Sequence, residues 1–80
     1  MERTGIFEKL NEVFRDIFDD ETITVGEETT AADIEGWDSL THINLLATIE
    51  DEFDIKFEMK DIVKMKNVGE MADLIEDQLK

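Results

Sequence analysis

The stretch "EGWDSLTHINLLATIEDEF", residues 35–53, holds the side chains best placed to do chemistry. Ser39 stands between Asp38 and Leu40, just after Gly36-Trp37, where a loop passes into an apolar-faced helix. A serine hydroxyl has two uses there. It can accept a bond from a free N–H of the first helical turn and so act as a cap, a role open to Asp38 as well. It can also carry a phosphate ester, because the helix dipole and the loose N–H groups favour an anion at that end. Asp38 beside it would then help hold a divalent cation while a phosphoryl group is transferred. Spacing alone leaves both uses open, and a plain helix start looks the same.

Other chemistry finds little support. His42 is the one histidine, with no base-orienting partner and no metal-ligand company in the sequence, so no catalytic residue and no metal site are expected. The absence of cysteine excludes disulfides, thiolate metal sites and a protein thiol nucleophile. No acidic stretch has the alternation, central glycine and terminal glutamate of a calcium-binding helix–loop–helix. Nothing in these residues suggests catalysis.

Charge narrows the partners. Eight Lys and Arg stand against 22 Asp and Glu, for a net charge of −14. Thirteen of the acids fall between Asp16 and Ile55, a window without a single Lys or Arg. Such a surface repels nucleic acid and anionic lipid, whose binding needs cationic groups to displace counterions. It attracts basic protein patches and speeds encounter with them. The N-terminus "MERTGIFEKLNEVF" does not look like a signal peptide, and no run is long enough to span a bilayer. A cytoplasmic monomer without stable membrane insertion is the expectation.

The elements that must position Ser39 follow from apolar spacing. Eighty residues make one domain, 1–80. Ile6, Phe7, Leu10, Val13, Phe14, Ile17 and Phe18 recur at three- and four-residue steps, a first helix with Thr4 as its expected N-cap and its end near Asp19-Asp20. Residues 21–38 have no helical period; Ile23, Val25 and Ile34 should dock this long loop, with Asp33 capping a short turn before Gly36. The second helix should run from about Ser39 to Phe53, with Leu40, Ile43, Leu46, Ala47, Ile49 and Phe53 inward and Leu45 widening the stripe. A short helix around Lys60–Met65 should turn Ile62 and Val63 inward, while Phe57 plugs the bundle. Asn67 should cap a last helix that repeats Val68, Met71, Leu74, Ile75 and Leu79. The expected fold class is all-α: a four-helix bundle of three long helices and one short one, with a long loop between helices 1 and 2.

"GWDSLTHINLLATIEDEFDIKF" resembles the modification site and second helix of the acyl carrier protein family. Asp38-Ser39-Leu40 at the start of the second helix, the acidic continuation "IEDEFDIKF" and the loop ending "DIEGWDSL" carry the resemblance, which covers essentially the whole chain. It implies that a partner phosphopantetheinyl transferase attaches 4′-phosphopantetheine from coenzyme A to the Ser39 hydroxyl, with Asp38 and Leu40 flanking the attachment. The thiol at the arm's end carries cargo as a thioester, so a chain without cysteine does thioester chemistry. Partner enzymes of fatty-acid, lipid or polyketide-type biosynthesis would load, process and unload that cargo.

The resemblance also implies that partners present a basic patch to the second helix. Asp38, Glu50, Asp51, Glu52 and Asp54 would meet it, with Ile43 and Ala47 as apolar contacts. The positions of Thr41 and Asn44 are acidic in well-known fatty-acid carriers and neutral here, which departs from a standard fatty-acid synthase role. Trp37 before Asp-Ser is common among stand-alone carriers of specialised pathways, though its plainer use is a ring packed over the loop. Two alternatives stand beside an acyl carrier: an aminoacyl carrier of the same fold, D-alanyl or peptidyl, and an unmodified acidic helical adaptor in which Ser39 is only a cap.

Overall fold

The computed structural model describes residues 2–63 and 65–79. Among them the chain forms four helices and no strand: α1 (Arg3–Ile17), α2 (Ser39–Phe53), α3 (Met59–Ile62) and α4 (Val68–Gln78). A 3₁₀ turn, Ala31–Asp33, interrupts the loop between α1 and α2. The all-α expectation of three long helices and one short one holds. α1 packs against both α2 and α4.

In α1 the buried residues are Ile6, Leu10, Val13 and Phe14; Phe7, Ile17 and Phe18 pack against that core from its margin. Thr4 is not the N-cap. The helix starts one residue before it, with Glu2 at the cap position making no side-chain bond. A tertiary clamp sets the start instead. The Arg3 guanidinium donates to Glu27 (2.6 Å), Glu76 (2.6 Å), Asp73 (2.8 Å) and the Gly69 carbonyl (3.1 Å), which ties the first turn to the loop and to α4.

The long loop is held by backbone groups rather than by its few apolar side chains alone. Asn11 donates to the Phe7 carbonyl and accepts from the Val25 N–H at 2.6 Å. Arg15 donates to the Ile23 carbonyl at 2.6 Å. Farther along, the Thr29 and Glu27 carbonyls accept from the Val68 and Gly69 N–H groups at 2.8 and 2.9 Å, so the loop satisfies two orphan donors of α4. Val25 and Ile34 are buried as expected, and Ile23 is half-buried. Thr30, not Asp33, is the cap of the 3₁₀ turn; Asp33, its last residue, accepts from the Thr30 N–H at 2.9 Å as the other half of a capping box.

α2 buries Leu45, Leu46, Ile49 and Phe53. Three residues of the expected inward stripe face outward instead: Leu40 is 79% exposed, Ile43 66%, and Ala47 is exposed too. Leu40, Ile43 and Ala47 form a second stripe beside the packed one, at steps of three and four. Among the described residues nothing buries this second stripe. The short helix also starts and ends earlier than the spacing suggested, and Val63 is 73% exposed rather than inward. Lys64, in the expected span, lies outside the described residues. Ile62 and Phe57 pack on the core from its edge. Asn67 caps α4 as expected, accepting from the Glu70 N–H at 2.8 Å, and Val68, Met71, Ala72 and Ile75 are buried behind it.

Candidate functional site

The site begins with a turn. Gly36 has φ +89°, a conformation that L side chains rarely adopt, and it swings the chain from the 3₁₀ turn toward α2. Trp37 then drops onto α1: its ring meets Phe14 edge-on at 5.2 Å between centroids and lies 6.3 Å from Phe18. Its Nε1–H donates to His42 Nδ1 at 3.0 Å, with the two ring planes 28° apart. A ring packed over the loop is thus what Trp37 provides. The bond requires His42 Nδ1 to be unprotonated, and partial burial independently pushes the His42 pKa down.

Asp38, not Ser39, is the N-cap of α2. Its carboxylate accepts from the Thr41 N–H at 2.9 Å, and the Thr41 hydroxyl lies 2.9 Å from the same oxygen and 3.0 Å from the Gly36 carbonyl. The bonds from Thr41, backbone first and side chain second, hold the Asp38 carboxyl below its usual range. Thr41 is therefore part of the cap, a structural use for a neutral residue at that position.

With the cap supplied by Asp38, Ser39 occupies the first position inside the helix. It is exposed, and its hydroxyl makes no hydrogen bond among the described residues. It stands on the rim of an open cavity of about 380 Å³, walled by Trp37, His42, Met65, Lys66, Asn67 and Met71. A phosphopantetheine arm needs a free, accessible hydroxyl, space for a phosphodiester and a surface beside it, and Ser39 has all three. Leu40, next in line, is exposed rather than packed.

The residues expected to meet partners divide into two groups. Asp51 is exposed and unpaired among the described residues, and Asp54 is exposed in the left-handed conformation that closes α2. Ile43 and Ala47 are exposed on the outward stripe of α2. Glu52 lies 3.8 Å from Lys9. Glu50 has an internal duty: its carboxylate accepts from the Phe57 N–H at 2.8 Å and anchors the link to α3. Among the described residues no group of three His, Cys, Asp or Glu is placed to hold a metal ion. The cavity wall from Met65 to Asn67 has no signal of its own in the sequence. Asn67 as a cap placed the start of α4, but nothing in the spacing said that this start faces Ser39.

Comparison with known proteins bears on the same features. The model of the phosphopantetheine attachment site family matches residues 8–75. The chain belongs to that family. It is 31% identical to an acyl carrier protein of Thermotoga maritima over 77 residues, covering 96% of this chain and 95% of that one. It is 33% identical to an acyl carrier protein of Streptococcus pyogenes over 76 residues, covering 95% and 99%. A solution structure of the holo acyl carrier protein from Geobacter metallireducens superposes with a TM-score of 0.87 at 44% identity, covering 91% of this chain and 84% of that one. The family's cofactor is covalent 4′-phosphopantetheine, and its acyl carrier proteins are carriers rather than enzymes.

Proposed function

We propose that this protein is a discrete carrier in which 4′-phosphopantetheine is attached to the Ser39 hydroxyl and bears acyl intermediates as thioesters. The observation that carries the site is the division of labour at the start of α2: Asp38 makes the cap, which leaves the Ser39 hydroxyl exposed and unbonded on the rim of a cavity. In the transfer, the Ser39 oxygen bonds to the phosphorus that bears pantetheine, the pyrophosphate P–O bond of coenzyme A breaks, adenosine 3′,5′-bisphosphate leaves, and the Ser39 proton passes to a base of the transferase. Asp38, beside Ser39 and held ionised by Thr41, is placed to orient a cation or the transferase at that step. The first turn of α2 holds the Ser39 hydroxyl at the surface, on the rim of that cavity.

Partner enzymes dock on the exposed side of α2. Leu40, Ile43 and Ala47 supply the apolar contact, and Asp51, Glu52 and Asp54 the charged rim, which steers basic surfaces toward it. The neutral Asn44 and the structural Thr41 leave the early part of this helix less acidic, which favours a lipid or polyketide-type pathway outside standard fatty-acid synthesis. The cytoplasm is the compartment this reading expects.

Incubation with coenzyme A and a phosphopantetheinyl transferase, followed by intact mass and peptide mapping, tests the proposal. A gain of one phosphopantetheine on Ser39 is expected. Gain on another residue would overturn the site, and no gain with several competent transferases would leave an acidic adaptor. Loading of the holo protein by acyl-activating but not aminoacyl-activating enzymes separates the two kinds of carrier.

A further inference from the structure

We propose that Lys66 is the counter-charge for the phosphodiester on Ser39, and that it seats the first atoms of the arm in the cavity walled by Trp37, His42 and Met71. This rests on the carrier reading above. The reason is a charge problem. A phosphodiester on Ser39 is a full anion at neutral pH, one residue from the Asp38 carboxylate, in a chain of net charge −14. Asp38 is held ionised by its bonds from Thr41, so it does not relieve the repulsion by taking up a proton near neutrality. No Lys or Arg lies between Asp16 and Ile55 to offset it locally.

Tertiary structure supplies the missing cation from the segment joining α3 to α4. Among the described residues, Lys66 is the one cation lining the cavity that Ser39 and Asp38 border. Arg3, Lys9 and Lys60 each have a carboxylate partner; among the described residues Lys66, like Arg15 and Lys56, has none within 4 Å, and of these three only Lys66 lines the cavity. Its backbone is nonetheless held firmly. The Lys66 N–H donates to the Glu70 carboxylate at 2.5 Å, and Asn67, the next residue, caps α4. A tethered backbone with an unpaired head suits a lysine whose partner arrives with a modification: less entropy is lost when the pair forms. The rest of the wall suits the part of the arm beyond the phosphate, a branched apolar carbon and then amides. Trp37, Met65 and Met71 offer apolar surface, and Asn67 and His42 offer polar groups.

The test compares apo and holo forms of wild type, Lys66→Gln and Lys60→Gln. The last makes the same charge change at an exposed lysine that pairs with Glu58 and does not line the cavity. Trp37 is the single tryptophan, so acrylamide quenching of its fluorescence reports on the cavity, and the phosphorus NMR line width of the holo protein reports on the arm. Circular dichroism of the apo variants should match wild type, since the backbone bond of Lys66 survives substitution. In wild type and Lys60→Gln, conversion to holo should shield Trp37 and broaden the phosphorus line. In Lys66→Gln both effects should shrink, the seated fraction falling about two- to fivefold, as for an exposed ion pair. Added salt should erode the wild-type effect in the same way. Equal behaviour of the three holo proteins, or no shielding in wild type, would overturn the role of Lys66 while leaving the carrier intact. Failure of wild type to gain mass on Ser39 would overturn both.

Discussion

At the scale of single residues, Asp38 makes the cap of α2, and the attachment proposed for Ser39 falls on a hydroxyl that the cap leaves free. Asp38→Ala removes the cap of α2, and the melting temperature should fall by on the order of 5 °C. Ser39→Ala removes no cap bond, so its melting curve and helical circular dichroism should stay close to wild type while modification is abolished. Thermal melts with mass spectrometry on the same samples check both; a destabilised Ser39→Ala would mean that the serine, too, holds the helix start. His42 yields a pH prediction. Its folded pKa lies below its ordinary value of about 6.5, so the unfolded chain takes up the proton first as pH falls. The stability its neutral form contributes is complete above about pH 6.5 and is lost as pH drops from there toward the depressed folded value. Protonation also removes the acceptor for Trp37. Wild type should therefore lose melting temperature relative to His42→Phe between pH 7.5 and 5.5, and Trp37 emission should shift over the same range. Parallel curves for the two proteins would show that His42 is not coupled to folding.

At the scale of elements, two joints are informative. The first is the end of α2. Asp51 faces solvent, while Glu50 accepts the Phe57 N–H that anchors the link to α3. Asp51→Lys should slow association with a transferase or synthase, with a weaker salt dependence and an unchanged melting temperature. Glu50→Lys should slow association and also lower the melting temperature, because a buried-edge backbone donor loses its acceptor. Stopped-flow binding beside thermal melts separates them; identical effects from both would mean that Glu50 has no internal role. The second joint is Gly69. A Cβ there would lie 2.5 Å from the Glu27 carbonyl oxygen, the same atom that accepts the Gly69 N–H. Gly69→Ala should cost about 1–3 kcal/mol, as overpacking does, although alanine is the better helix former. Urea denaturation measures this, and a stabilised variant would show that the loop does not sit against α4.

At the scale of the whole molecule, a net charge of −14 on 80 residues opposes compaction. The Arg3 clamp offsets part of it by drawing Glu27, Asp73 and Glu76 onto one guanidinium, a contact that holds the Arg3 pKa above its ordinary range and the Glu27 carboxyl below its own. Elsewhere most of the acids have no cationic partner among the described residues. Raising salt or adding Mg²⁺ should raise the melting temperature through screening, and with no cluster of three ligands among the described residues, the two should act alike at equal ionic strength. Scanning calorimetry across both series checks this. A melting temperature indifferent to both would remove the idea that the acidic surface is kept for partners at a cost in stability.

The helices of this protein are legible in its sequence because local rules write them. Apolar residues at three- and four-residue steps mark α1, α2 and α4, Asn67 marks the start of α4, and Asp38-Ser39-Leu40 marks both a helix start and a hydroxyl. The family resemblance makes that hydroxyl the proposed attachment point. What periodicity does not carry is which apolar stripe finds a partner. Leu40, Ile43 and Ala47 share the helix with Leu45, Leu46, Ile49 and Phe53, and only the packing of the helices decides that the first set stays exposed. Thr4 is an acceptable cap by type, yet the helix starts before it, because Arg3 is bound by carboxylates far along the chain. Asp38 and Ser39 are interchangeable as caps by composition, and the position of the Thr41 N–H settles which one serves. Lys66 beside Ser39 is the clearest instance: residues 27 positions apart share a cavity wall only because the fold brings the segment before α4 near the start of α2.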